Sequence, residues 1–168
     1  MKAALEIELK LVVPAEAVRR LAAHRLLRGR SRPARRRLYS IYFDTPALDL
    51  WRQGIALRVR REGRRWVQTV KSGGSAQGGL HQRAEDEAEV AGPQPDLSRV
   101  RDGDFAGAFA SPRLRAELAP VFITEFTRSS RALELDAEVR VEASVDQGVI
   151  RSGKRAEPLS ELELELKG

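Results

Sequence analysis

Cysteine is absent from this 168-residue chain, which excludes disulfide bonds and thiolate metal ligands. Histidine is nearly absent. His24 falls in a helical segment and His81 in a loop, neither beside a nucleophile pattern, so histidine-centred catalysis is not supported. No stretch reads as a signal peptide or a membrane span, and the expectation is a cytoplasmic protein with no membrane partner. The phosphate loop of nucleotide-binding proteins is missing too: Gly73, Gly74, Gly78 and Gly79 have no Lys-Ser/Thr sequel. Finally, the most basic segment, residues 25–37, has no aromatic residue on which a nucleic acid base could stack, which makes nucleic acid a poor candidate partner.

Charge, by contrast, is plentiful. Thirty Lys and Arg stand against 24 Asp and Glu, a net +6 that suits either a soluble surface or an anionic partner. The length fits one domain, residues 1–168. Much of the charge alternates with apolar residues. Glu6, Glu8 and Lys10 are interleaved with Ile7, Leu9 and Leu11, and the pattern returns as Glu161, Glu163, Glu165 and Lys167 among Leu162, Leu164 and Leu166. In a strand these two sets face opposite ways.

Between the two ends, Pro14 opens an amphipathic helical segment over 15–27, and residues 29–37 read as a solvated basic connector. A strand follows over 38–43. Asp44-Thr45-Pro46 then caps a short helix that reaches Arg52. Residues 55–61 and 65–71 form a hairpin about Glu62-Gly63-Arg64, followed by a Gly/Ser-rich loop over 72–79 and an alternating strand over 82–90. Residues 97–119 read as helical and 121–135 as a long strand. A strictly alternating strand spans 138–145, Asp146-Gln147-Gly148 reads as a tight turn into a short strand at 149–151, and the last strand runs from Leu159 to Leu166. Eight or nine strands with short connections favour antiparallel pairing, and a sheet of that size tends to curl or close.

A charged strand face ordinarily meets water. Here six strands carry one, with charge types sorted: acidic at 6–8, 85–89 and 161–165, basic at 58–60, Lys10 and Lys71. A closed barrel with these faces inward would be costly if left bare, since two carboxylates 4 Å apart repel by about 4 kcal/mol at an effective dielectric near 20. A hard divalent cation turns such carboxylates into ligands, and a phosphate between Arg and Lys side chains relieves their repulsion. Metal beside a file of cations is the general requirement of phosphoryl chemistry.

The motifs resemble the CYTH superfamily, also called triphosphate tunnel metalloenzymes. Glu6-Ile7-Glu8-Leu9-Lys10 is similar to its ExExK signature. The resemblance continues through Tyr42-Phe43-Asp44-Thr45-Pro46, residues 54–61, Trp66 to Lys71, residues 79–85, Asp146-Gln147-Gly148 and Pro158 to Lys167. It implies an α+β fold, an eight-stranded antiparallel β-barrel forming a tunnel, with short flanking helices. It also implies a hydrolase acting on inorganic triphosphate with Mg²⁺ or Mn²⁺. On the family pattern Glu6, Glu8, Glu85, Glu87, Asp146, Glu161 and Glu163 would hold metal. Lys10, Arg58, Arg60, Lys71, Arg83 and Arg128 would hold phosphate, with Lys10, Glu6 and Glu8 nearest the chemistry. The look-alikes often carry a helical CHAD domain after this one, and the closing Glu165-Leu166-Lys167-Gly168 resembles that junction. Thiamine triphosphate or nucleoside triphosphates are alternative substrates on the same fold. A non-catalytic polyphosphate- or RNA-binding module is the alternative of another class, and the oligomeric state is open.

Overall fold

The computed structural model describes residues 4–27, 32–72, 74–101, 103–135 and 139–167. The described residues form nine antiparallel strands in one sheet, the short β5 within the segment expected to be a Gly/Ser-rich loop: β1 (Ala4–Val12), β2 (Ala34–Asp44), β3 (Ile55–Glu62), β4 (Arg65–Ser72), β5 (Ser75–Gln77), β6 (Leu80–Val90), β7 (Ala119–Glu134), β8 (Arg140–Ser152) and β9 (Arg155–Leu166). Their order is β1-β9-β8-β7-β2-β3-β4-β6-β5. β1 also pairs with β6, with Glu6 opposite Arg83, so eight strands close into the expected barrel and three-residue β5 is a short addition to β6. Closure removes the free edges that an open sheet would expose. Among the described residues no helix is long and apolar enough to cross a membrane.

The barrel is built inside out: charge lines its interior and much of the apolar core lies on its outer face. Ile41, Phe43, Leu57, Val59, Val70 and Val90 project outward from β2, β3, β4 and β6. Short helices cover them: α2 (Asp49–Arg52) with Leu50, α3 (Gly103–Ala108) with Phe105, and α4 (Pro112–Glu117) with Leu114. α2 is pinned by the buried Asp44 carboxylate, which accepts from the backbone N–H groups of Thr45 (2.7 Å), Leu50 (2.9 Å) and Trp51 (3.0 Å). Ser111 caps α4 ahead of Pro112. A second cluster packs Val18 of α1 (Val18–Ala23) on Val13 and Leu162. A third, Leu38, Phe126 and Leu159, lies inside the barrel.

Several segments differ from the sequence expectations. The basic run does not stay a connector: from Ala34 onward it is strand, because β7 is long enough to offer Ser130, Ser129, Arg128 and Thr127 as partners to residues 34–37. Residues 29–31 of that connector, and Glu138, expected to begin an alternating strand, lie outside the described residues. Asp146-Gln147-Gly148 is no turn but the middle of β8. Gly148 serves close approach instead: a Cβ there would sit 2.0 Å from the Glu125 carbonyl oxygen and 2.4 Å from Phe126 Cα. β9 begins at Arg155 and includes Pro158, which is tolerated because β1 pairs only with residues 161–165 and demands no N–H from position 158. The helical region 97–119 splits into a 3₁₀ turn, α3 and α4, and residues 15–27 divide likewise into short helical pieces. His81 lies in β6 rather than in a loop.

Candidate active site

The period-two alternation that fixed each strand's phase also aims its charges. The barrel encloses a cavity of about 390 Å³. Lining it are Glu6, Glu8 and Lys10 from β1, Arg58 and Arg60 from β3, Lys71 from β4, and Arg83, Glu85 and Glu87 from β6. Arg128 of β7, Asp146 of β8, and Glu161 and Glu163 of β9 complete the wall. All thirteen residues singled out from the sequence are thus brought to one cavity.

Most of these charges are paired across strands. Lys71 Nζ donates to Glu6 at 2.7 Å and lies 3.2 Å from Glu85. Arg83 Nε donates to Glu6 at 2.9 Å, and its Nη2 donates to Glu8. Arg128 grips Asp146 through Nε (2.9 Å) and Nη2 (2.6 Å) and also bonds Glu163. Lys10 Nζ is 2.7 Å from Glu163 and 3.7 Å from Glu161.

Two cations are treated differently. Arg58 is 3.7 Å from Glu87, beyond direct hydrogen bonding, with the Thr69 hydroxyl between them. Arg58 Nε is buried with no hydrogen-bond partner among the described residues. Arg60 donates to the Ser40 hydroxyl at 3.1 Å and, among the described residues, makes no ion pair. Burial, together with repulsion from Arg58 and Arg128, lowers the Arg60 pKa to about 10, so this is a cation under electrostatic pressure.

The carboxylates sort by environment as well. Burial pushes Glu6 up, but hydrogen bonds from Lys71 and Arg83 outweigh it and hold the group at about 2. Glu163 is likewise lowered against its burial, by Lys10 and Arg128. Lys10 is raised against burial by Glu163, Glu8 and Glu161, so it keeps its proton. Glu85 and Glu161 go the other way, raised by burial first and then by neighbouring carboxylates.

Every acidic donor in the tunnel is a carboxylate oxygen, the chemistry that a hard divalent cation selects. Among the described residues no three acidic side chains are yet gathered into a metal site, because most of them are turned onto Lys or Arg. A cation would enter by displacing those partners.

Sequence reasoning missed Arg36, Tyr42, Glu62 and Glu142 of the lining, and behind it the hydroxyls of Ser40 and Thr69 that hold the β3 arginines. Glu165 and Lys167, which continue the alternating pattern, also line the cavity at the end of β9. The signal that could have found them is phase alone. Arg36 and Ser40 share the face of Tyr42, and Glu142 that of Asp146.

Comparison with known proteins agrees with this geometry. The family model described as the CYTH domain matches residues 4–168. An inorganic triphosphatase of Haemophilus influenzae is 31% identical over 131 residues, which cover 77% of this chain and 36% of that protein. The chain therefore spans about a third of the length of this curated relative. The PH1819 protein of Pyrococcus horikoshii shares the fold at TM-score 0.58 and 20% identity, covering 97% of this chain and 78% of that one. So does HpAC1 of Hippeastrum, whose structure is described with a dominant triphosphatase activity, at TM-score 0.56 and 20% identity over 97% of this chain and 79% of that one. A tunnel of thirteen in-phase charges in a closed eight-stranded barrel, matched from end to end by the family model, places the chain in the CYTH domain family.

Proposed function

We propose that the tunnel hydrolyses inorganic triphosphate to pyrophosphate and phosphate with the help of a divalent metal ion. The observation that carries this reading is the Arg58–Arg60 pair. Two half-buried guanidiniums on one strand repel each other, donate no hydrogen bond to a carboxylate among the described residues, and face a wall rich in Glu and Asp across a cavity of about 390 Å³. A linear polyanion relieves the repulsion, and a divalent cation answers the carboxylates. The 31% identity to an inorganic triphosphatase supports that substrate ahead of its organic relatives.

In this scheme Arg58 and Arg60 clasp phosphoryl oxygens, where guanidinium geometry allows two-point contact. Lys71 and Arg83 exchange Glu6 for phosphate, and Arg128 stays beside the chain while bound to Asp146. Lys10, its proton held by Glu163, acts as a fixed positive charge on the transferring group rather than as a base. Mg²⁺ or Mn²⁺ held by residues among Glu6, Glu8, Glu85, Glu87, Asp146, Glu161 and Glu163 would supply charge neutralisation at the reacting oxygens. The residues' own part is to orient a flexible anion and exclude competing geometries.

The test is phosphate release from inorganic triphosphate, thiamine triphosphate and ATP, each with Mg²⁺, with Mn²⁺ and with chelator. Inorganic triphosphate with metal is expected to be the best substrate, chelator to abolish release, and Glu6→Ala and Lys71→Ala each to lower it at least tenfold. No release from any triphosphate would end the enzyme reading and favour a polyphosphate-binding module. Full activity in both variants would overturn the site assignment.

A further inference from the structure

Hydroxyl groups stand beside the two β3 arginines of the tunnel, Arg58 and Arg60. Thr69, fully buried on β4, lies directly opposite Arg58. Its Oγ1 accepts from Arg58 Nη2 at 2.9 Å and donates to Glu87 Oε1 at 3.0 Å. On the opposite flank of β3 the fully buried Ser40 hydroxyl accepts from Arg60 Nε at 3.1 Å. A hydroxyl has the right inventory for this, one donor and two acceptor lone pairs. It satisfies a guanidinium hydrogen bond without neutralising its charge. A carboxylate in the same place would do both, as Glu6 does for Lys71 and Arg83.

Resting on the triphosphate reading of the tunnel, we infer that Thr69 is a positioning residue: its hydroxyl holds Arg58 apart from Glu87 so that the guanidinium is kept for phosphate and the carboxylate for a cation. Ser40 orients Arg60 from the other side. Without the Thr69 hydroxyl, Arg58 has two donor groups lacking hydrogen-bond partners among the described residues, the buried Nε already and Nη2 newly, and closes the 3.7 Å gap onto Glu87. Arg58 and Glu87 would then neutralise each other, and both ligands would have to break that pair to bind.

The test compares Thr69→Val, which removes the hydroxyl at nearly constant shape, with Thr69→Ser, which keeps it. For the Val variant KM for inorganic triphosphate is expected to rise about tenfold or more, a size typical of losing a hydrogen bond to a charged group. The Mg²⁺ concentration for half-maximal rate is expected to rise with it, while kcat changes less. Calorimetric binding of inorganic triphosphate with chelator present is expected to weaken by a similar factor. Thr69→Ser is expected to stay within about threefold of wild type in all three readouts. Wild-type KM and metal-free affinity in Thr69→Val would overturn the inference, as would an equal loss in Thr69→Ser, which would mark a packing role. Should Thr69→Val not fold, Ser40→Ala provides the parallel test through Arg60, with the same KM rise expected and an unchanged KM overturning the scheme. If wild type hydrolyses no triphosphate, the enzyme reading fails, while the metal-free binding comparison still decides the role of Thr69.

Discussion

Replacing Glu6 by Gln is the most informative single perturbation of the tunnel, because it mimics the protonated carboxylate with almost no change of shape. Glu6 is 9% exposed at its side chain and receives Lys71 at 2.7 Å and Arg83 at 2.9 Å. These bonds lower its pKa from an ordinary 4.5 to about 2. At about 1.4 kcal/mol per pKa unit, ionised Glu6 stabilises the fold by about 3 kcal/mol at neutral pH. The sign follows from the depressed value. The contribution is complete above pH 4.5, falls to roughly half near pH 3, and is lost as the pH drops through 2. Glu6→Gln should therefore unfold in urea with a stability about 3 kcal/mol below wild type at pH 7, and the gap should narrow steadily between pH 4.5 and pH 2. Other carboxylates titrate in the same range, but they do so in both proteins and largely cancel in the difference. A gap of the same size at pH 7 and pH 3 would refute the reasoning, since the loss would then come from packing rather than charge. No gap at pH 7 would show that Glu85 and Glu8 absorb Lys71 and Arg83 unaided.

Two further substitutions probe the frame that aims the charges. Gly148→Ala places a methyl 2.0 Å from the Glu125 carbonyl oxygen and should cost about 2 kcal/mol or more, read as a lowered melting temperature; an unchanged melt would show that β7 and β8 can part without penalty. Asp44→Ala strips the acceptor from three backbone N–H groups that hold α2 and should cost about 2–4 kcal/mol in urea unfolding, with a loss under 1 kcal/mol arguing that water replaces the carboxylate.

Which residues face the tunnel was largely legible because a strand's phase is a local property. Once Glu6 and Glu8 share a face, so does Lys10, whatever the strand's neighbours are. What escaped depends on neighbours. The basic run at 35–37 has the composition of a connector, and only the length of β7 makes it a strand that delivers Arg36 to the cavity wall. Gly148 looks like a turn residue until Phe126 is seen to need the space. Ser40 and Thr69 are common strand residues, and nothing local separates a hydroxyl facing an arginine from one facing water. The pairings themselves were out of reach. Lys71 meets Glu6 across 65 positions because β6 lies between their strands and bonds to both, and strand order is not written in any one strand.

The chain's basic surplus pointed toward an anionic partner, yet the tunnel is not where that surplus lies. Ten carboxylates line the cavity against eight Lys and Arg, a deficit of two, so the rest of the chain carries a net +8. Attraction for a polyanion inside the barrel therefore comes from arrangement rather than from excess charge. Lys10, Lys71, Arg83 and Arg128 are committed to carboxylates, and an incoming anion must compete for each of them. Arg58 and Arg60 rest on hydroxyls and need no such exchange. Two of the cations that an anion can reach without such an exchange thus share one strand of the eight, and two uncharged side chains on the strands flanking it keep their charge from being cancelled.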